Sequence, residues 1–323
     1  MAPNWKWLLA PLLVGGLVVG HHACTVYERH RLANATGEAV DQFLVEAPAG
    51  PRLVLHDKVE YETDDSSTEG SRLVVLDART GAQIARDVFA DSARFEHCWP
   101  AAAARLWCVR DRGALVLLSS DTLAPVADVA ALVAAAGLGK PVADRWARDG
   151  ASVSVVLPDG RGARIASDSL TVTELPVGVD AFHGDNARCH LADSLGDGSE
   201  KLSFSGSVRH VLLRGEVSAE SASGTPTGPA FLATNDRPQF LLLEGSRAML
   251  VLSDSSLDDH GHPLISRVDA TPALLWSVPL DGGCEFAAAL DDVLVVAGAS
   301  SDAWPRARGL DLASGAARWA YHP

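Results

Sequence analysis

Residues 308–321 read Arg-Gly-Leu-Asp-Leu-Ala-Ser-Gly-Ala-Ala-Arg-Trp-Ala-Tyr, the pattern of a strand, a tight turn and a second strand. Leu310 and Leu312 alternate with other residues, and Ser314-Gly315 supplies the turn. The same phrase occurs early in the chain as Leu76-Asp-Ala-Arg-Thr-Gly-Ala82. We therefore interpret the phrase as the marker of a structural unit that repeats along the chain.

Weaker copies of the marker recur at regular intervals. Counted at the Asp77 position, they stand at positions 119, 166, 269 and 311, with a degraded copy near Leu213-Arg-Gly-Glu216. The first two steps are 42 and 47 residues, and the last is again 42. A period of ~40–50 residues with short apolar strands is typical of four-stranded propeller blades. We therefore predict an all-β chain: a β-propeller domain over residues 51–323 with six four-stranded blades, or seven if the long interval after position 166 holds two. A β-sandwich with hairpins is the alternative.

Two of the copies resemble a known family of repeats. Val74–Gly81 and Gly309–Trp319 are similar to repeats of the quinoprotein-like, PQQ-type propellers, and more widely to WD40-like propellers of the bacterial envelope. The resemblance implies tryptophans that dock between neighbouring blades, a position that Trp276 and Trp319 match. It also implies a scaffold role in envelope complexes. It carries over no cofactor, and we expect none.

The N-terminal segment predicts export. Residues 1–27 contain an apolar run behind Lys6, typical of either a membrane-anchoring hydrophobic helix or a cleaved signal peptide. Either leaves the domain in the periplasm or exterior, membrane-anchored in the first case and secreted in the second. Residues 28–50 are predicted as a linker with a short helix around Glu38 to Val45. An alanine-rich run, Asp128 to Leu138, predicts a helix inserted between the second and third blades.

Charge and composition narrow the classes of partner. The formal net charge is −14, and no stretch concentrates Lys and Arg, so nucleic acid is excluded as an expected partner. A hydrophobic fraction of 47% is enough for a substantial core. An acidic surface favours basic protein partners in the envelope, or simply solubility. The oligomeric state is left open.

Two clusters predict site chemistry. Asp258, Asp259, His260 and His262 place four potential metal ligands within five residues, either a divalent-metal site or a solvated loop. Cys98 and Cys108 flank a predicted hairpin turn centred near position 103, which would bring them face to face. They are either a disulfide or two buried free thiols.

These observations favour a binding protein over an enzyme. We find no nucleophile elbow, Walker loop or dinucleotide fingerprint, and we predict no catalytic residue. The leading prediction is a non-enzymatic, membrane-tethered, extracytoplasmic platform for protein interaction or assembly. The alternatives are an envelope enzyme, a metal-dependent hydrolase or oxidoreductase acting at His260 and His262, and a module that binds a small ligand in its central channel.

Overall fold

The computed structural model describes the chain from residue 30 onward, with gaps. The described residues are 30–62, 67–90, 93–110, 113–143, 145–175, 190–191, 202–204, 208–213, 216–221, 226–232, 239–243, 248–254, 263–268, 274–280, 286–298 and 305–323.

Strands dominate these residues, in agreement with the predicted all-β class. The first three groups of strands are Gly37–Val45 (β1), Arg52–Glu62 (β2), Ser67–Asp77 (β3), Gln83–Ala90 (β4); Phe95–Ala101 (β5), Arg105–Arg110 (β6), Leu115–Ser119 (β7), Pro125–Asp128 (β8); and Trp146–Asp149 (β9), Ser152–Val156 (β10), Gly162–Ile165 (β11), Val172–Leu175 (β12). The helix Val129–Ala135 (α1) follows β8, and residues 30–34 are also helical.

The second half of the chain continues in strands. They are His190–Leu191 (β13); Leu202–Phe204 (β14), Val208–Leu213 (β15), Glu216–Ser221 (β16), Pro226–Leu232 (β17); Gln239–Leu242 (β18), Met249–Asp254 (β19), Pro263–Val268 (β20), Leu274–Pro279 (β21); and Phe286–Leu290 (β22), Val293–Ala297 (β23), Ala307–Asp311 (β24), Ala317–Tyr321 (β25).

Within the described part of the chain, six groups of four strands follow one another along the sequence. β1–β4, β5–β8 and β9–β12 each form a separate sheet in sequence order. β14–β17 and β18–β21 share a sheet but are joined only by the pairing of Leu232 with Asp254. β22–β25 form the last group, to which β13 adds a short parallel strand. Antiparallel neighbours joined by short turns need no crossover connections.

The chain divides into two compact units. Unit 1 comprises Met1–Asp41, Val54–Val75 and Ile84–His183, and unit 2 comprises Gln42–Leu53, Leu76–Gln83 and Gly184–Pro323. The main core of unit 1 includes Trp107, Leu117, Val153 and Ile165, and a smaller cluster packs Leu32 of the helical residues on the first sheet. The core of unit 2 includes Leu250, Ile265, Leu294, Leu310 and Trp276. Each unit therefore buries its own apolar surface.

In the described residues the predicted marker corresponds to one turn that occurs four times, and the copies predicted at Asp269 and near Leu213–Glu216 do not lie wholly within these residues. The turn begins at residues 77, 119, 166 and 311. In every copy the first N–H donates to the carbonyl five residues later, and the fifth N–H donates back to the first carbonyl. The fifth residue has a positive φ, and it is Gly81 or Gly315 in two copies but Leu123 or Leu170 in the others. The predicted positions of these four turns are confirmed.

Two tryptophans in unit 2 lie against the glycines of this turn. A Cβ on Gly315 would lie 2.8 Å from the indole of Trp276, and one on Gly81 would lie 2.6 Å from the indole of Trp319. Trp276 belongs to β21 and Gly315 to the next group, whereas Trp319 belongs to the last group and Gly81 to the first sheet. The contact between a tryptophan of one group and a turn glycine of the next group therefore recurs between the last group and the first sheet.

The prediction for residues 28–50 is wrong in its central part. Gly37–Val45 forms β1 of the first sheet, where a linker and a short helix were expected. Phe43 and Val45 lie on the same side of the strand and are buried, so a two-residue period overrides helix propensity. The helix predicted in Asp128–Leu138 is confirmed by α1, whose N-cap Asp128 accepts a hydrogen bond from the Ala131 N–H at 3.0 Å.

The predicted anchor, residues 1–27, lies outside the described residues. Across the ranges given above, no helix is both long enough and apolar enough to cross a bilayer.

Candidate functional site

The first strands of three successive sheets converge in unit 1. The Cys98 N–H in β5 donates to the Asp41 carboxylate in β1 at 2.8 Å. Trp99 in β5 stacks on Trp146 in β9, with ring centroids 5.0 Å apart and an interplanar angle of 13°. Arg148 in β9 is close enough to Asp41 for a favourable electrostatic interaction. The three strands therefore meet around Asp41, and the partly exposed side chains of Asp41, His97 and Arg148 form one polar surface.

Asp41 is the centre of this surface. Besides the Cys98 N–H, its Oδ2 lies 2.8 Å from Nδ1 of His56, and its Oδ1 lies 3.5 Å from Nδ1 of His97. Burial acts to raise the pKa of Asp41, but the hydrogen bonds from His56 and His97 outweigh it and hold the pKa at about 2. Asp41 is therefore an anion throughout the physiological range of pH.

His56 lies behind this carboxylate and is fully buried. Because a carboxylate only accepts, Nδ1 of His56 carries the proton of the shared hydrogen bond. The opposite nitrogen, Nε2, is buried and has no hydrogen-bond partner among the described residues. His56 therefore orients Asp41 from within the sheet and leaves the outer face of the carboxylate to other groups.

His97 lies beside the carboxylate and is partly exposed, and Arg148 is exposed and within electrostatic range of it. The His97 side chain is 39% exposed. The hydrogen bond to Asp41 raises the pKa of His97, although burial partly opposes this, and the negative charge of Glu96 adds to the rise. Partial burial lowers the pKa of Arg148, and attraction to Asp41 opposes the decrease. The surface thus combines a fixed anion, a fixed cation and a titratable imidazole.

The two predicted cysteines lie directly beneath this surface. Cys98 in β5 pairs with Cys108 in β6, across the predicted turn, in which Ala103 and Ala104 have positive φ. The two Cα atoms are 4.2 Å apart, and the side chains are joined in a disulfide. The bridge is buried, and it fixes the strand whose N–H binds Asp41.

The predicted metal ligands Asp258, Asp259, His260 and His262 lie outside the described residues. Where the structure describes the chain, no three His, Cys, Asp or Glu side chains are grouped so that they would hold a metal ion. The groups around Asp41 carry both signs of charge and include hydrogen-bond donors, as the groups of polar binding surfaces do. Among the described residues, no nucleophilic side chain forms a hydrogen bond with Asp41, His56 or His97.

Sequence reasoning missed Asp41, His56, His97 and Arg148. The signal was present, because His56 interrupts the apolar run Leu53-Val-Leu and Asp41 stands inside an alternating segment. A polar residue on the buried side of a strand requires a partner. The partners, however, come from separate sheets, and their meeting depends on tertiary packing.

Comparison with known proteins gives little further guidance. No protein-family model matches the sequence, and no curated protein matches it. Among solved structures, the WD40 domain of Pan2 from Neurospora crassa is similar over 85% of this chain and 76% of that chain, with 12% sequence identity and a TM-score of 0.27. This similarity is too low to establish the fold, and the sheets of the chain itself are the evidence for it.

Proposed function

We propose that the six groups of strands are the blades of a β-propeller that closes between its last and first blades. The observation that carries this proposal is the repeated pairing of Trp276 with Gly315 and of Trp319 with Gly81. The second pair relates the end of the chain to its first sheet in the way the first pair relates consecutive groups. The contact of Trp319 with Gly81 is accompanied by an ion pair of 2.5 Å between Arg79 and Asp291. A ring of six blades accounts for both observations.

We further propose that this propeller is a non-enzymatic binding platform outside the cytoplasm, tethered to the membrane by residues 1–27 or secreted after their removal. The apolar N-terminal segment supports export, and so does the Cys98–Cys108 disulfide, because disulfides persist in oxidising compartments. The partner class is an envelope protein with a mixed or basic surface, which suits a chain of net charge −14. Nucleic acid does not fit this charge.

Within this platform, the proposed binding surface is the one formed by Asp41, His97 and Arg148. First strands that converge from successive blades line the centre of a propeller, where rigid strands hold polar groups in fixed positions. The same observation favours the alternative of a small polar ligand in the central channel. A soluble ligand and a protein partner are separated by the experiments below.

The export proposal is tested by thiol chemistry. Cells that produce the full chain are quenched in acid, and the protein is alkylated in denaturant with and without prior reduction and analysed by mass spectrometry. We expect Cys98 and Cys108 to be modified only after reduction. Protease added to intact spheroplasts should degrade the domain, whereas a cytoplasmic control protein survives. Free Cys98 and Cys108 in a protected, cytoplasmic chain would contradict export.

The binding proposal is tested by capture and charge reversal. The detergent-solubilised full chain is used to capture partners from envelope extract, in parallel with Arg148→Glu and with Arg164→Glu. Arg164 is the matched control, since it is an exposed arginine in the same sheet. We expect at least one envelope protein to bind the wild type and Arg164→Glu but not Arg148→Glu. Equal capture by all three forms would contradict a role for this surface, and saturable binding of small metabolites alone would favour the channel alternative.

A further inference from the structure

A cleft in unit 1 is lined by none of Asp41, His97 and Arg148, although one of its walls, Trp146, stacks on Trp99. It is formed where α1 begins, by residues 113–115 at the start of β7, and by residues 140–143 and 145–146 before and in the third sheet. Its volume is about 190 Å³. Pockets for drug-sized ligands measure ~300–1,000 Å³, so this cleft suits a molecule smaller than those.

The walls of the cleft are mainly apolar. Leu115, Val129 and Val155 are buried residues that line it, and the indole of Trp146 forms another wall. Trp146 is held in place by stacking on Trp99. An aromatic ring fixed in this way offers a flat face to a ligand at little cost in conformational entropy.

The segment that closes the cleft is anchored by backbone hydrogen bonds. The Val142 N–H donates to the Val156 carbonyl at 2.8 Å, and the Val156 N–H donates to the Arg145 carbonyl at 3.0 Å. These bonds hold Val142 and Arg145 against the end of β10. The cleft is therefore formed before any ligand arrives, which favours binding.

The charged side chains at the cleft are mostly cationic. Lys140 and Arg145 line it and are exposed, and neither forms an ion pair with another described residue. The acidic side chain in the lining, Asp128, is occupied in capping α1 through the Ala131 N–H. Two cations that form no ion pair within the described part of the chain, beside an apolar wall, complement a molecule with an anionic head and an apolar body.

We propose that this cleft binds a small free carboxylate with an aromatic or short aliphatic body. The carboxylate contacts Lys140 and Arg145, and the apolar body lies on Trp146 between Leu115 and Val129. Arginine suits a carboxylate because its planar guanidinium donates two parallel hydrogen bonds. The site uses none of Asp41, His97 and Arg148, and its ligand contacts do not depend on ring closure.

The test is calorimetric titration of the full chain with indole-3-acetate, octanoate and the uncharged indole-3-acetamide. The double variant Lys140→Gln/Arg145→Gln removes both cations, and Lys58→Gln is the matched control because Lys58 is an exposed lysine in the same unit that pairs with Glu69. We expect saturable binding of one equivalent of at least one carboxylate. The affinity should fall at least tenfold in the double variant and be unchanged in Lys58→Gln.

A second variant guards against loss of structure in the double variant. Val142 is 36% exposed at the cleft, so Val142→Glu adds a negative charge without filling the core. It should weaken carboxylate binding at least tenfold while the circular dichroism spectrum stays unchanged. The proposal is overturned if neither carboxylate binds at millimolar concentration, if the amide binds as tightly as the acid, or if the variants bind like the wild type.

Discussion

Asp41 illustrates how one side chain stabilises several strands at once. It accepts hydrogen bonds from the buried His56 and from the backbone N–H of Cys98 in another sheet. Both donors are buried, so water cannot readily take the place of the carboxylate as their acceptor. A buried donor without an acceptor costs more free energy than the hydrogen bond itself contributes. The role of Asp41 in stability is therefore separable from any role in binding.

Asp41→Ala should lower the free energy of unfolding by about 2–4 kcal/mol, because His56 Nδ1–H and the Cys98 N–H lose their acceptor. The measurement is urea unfolding followed by tryptophan fluorescence. Glu38→Ala is the control, since Glu38 is an exposed acid in the same strand, and its change should stay within ~0.5 kcal/mol. Equal effects of the two substitutions would contradict the role of Asp41.

The His97 imidazole should make stability depend on pH. Its pKa is raised in the folded chain by the hydrogen bond to Asp41, so the folded state binds the proton more tightly than the unfolded state does. The resulting stabilisation is complete below the unfolded pKa of ~6.5 and is lost as pH rises through the folded pKa. The stability difference between wild type and His97→Gln should therefore shrink from pH 6 to pH 9. A constant difference over that range would exclude this coupling.

At the scale of elements, the recurring turn explains both what the sequence predicted and what it concealed. The turns at 77 and 311 have an aspartate whose side chain accepts from the third N–H that follows, and a glycine at the positive φ. These are strong sequence signals. The turns at 119 and 166 have leucine at the positive φ instead, although the backbone hydrogen bonds are the same.

The leucines replace glycine where no tryptophan stands opposite. Leu123 is only 2% exposed, so its side chain gains burial that offsets the cost of a left-handed backbone. The fourth strand of the first sheet, β4, has no tryptophan, and neither does β8 of the second sheet. Two of the four described turns therefore carry enough sequence signal to predict the fold. The contacts around Asp41 join strands that are distant in sequence, so they could not be predicted.

Gly81→Ala should cost more than a left-handed alanine costs elsewhere. A Cβ at Gly81 would lie 2.6 Å from Trp319, whereas one at Gly160, with a similar positive φ, meets nothing within 4 Å. We expect about 1 kcal/mol for Gly160→Ala, from backbone strain alone, and about 2–4 kcal/mol for Gly81→Ala, because steric overlap adds to it. Urea unfolding of both variants gives the comparison, and equal values would mean that Trp319 moves aside freely.

At the scale of the whole molecule, the contact between Trp319 and Gly81 should contribute as much to stability as the internal contact between Trp276 and Gly315. Trp276 donates from Nε1 to the Leu312 carbonyl at 3.1 Å and packs on Gly315. Trp319 packs on Gly81 and Gly309, and the Arg79–Asp291 ion pair lies in the same unit. A closed ring requires both contacts to contribute to stability.

Trp319→Ala should destabilise the chain by about 2–4 kcal/mol, close to the effect of Trp276→Ala, because both remove an indole packed on a glycine turn. Hydrogen exchange distinguishes closure from local loosening. In Trp319→Ala, the Gly81 N–H, which donates to the Asp77 carbonyl, should exchange faster, although it lies far away in sequence. Unchanged exchange at residues 77–82 would contradict the proposed closure.

The Trp319–Gly81 contact also has a consequence for biosynthesis. Position 319 follows position 81 by 238 residues, so the ribosome makes the indole long after the turn that it covers. Until then the first turn lacks its cover, and the nascent polypeptide cannot complete its fold. A chain interrupted before residue 319 should therefore leave the turn at residues 77–82 without its indole cover.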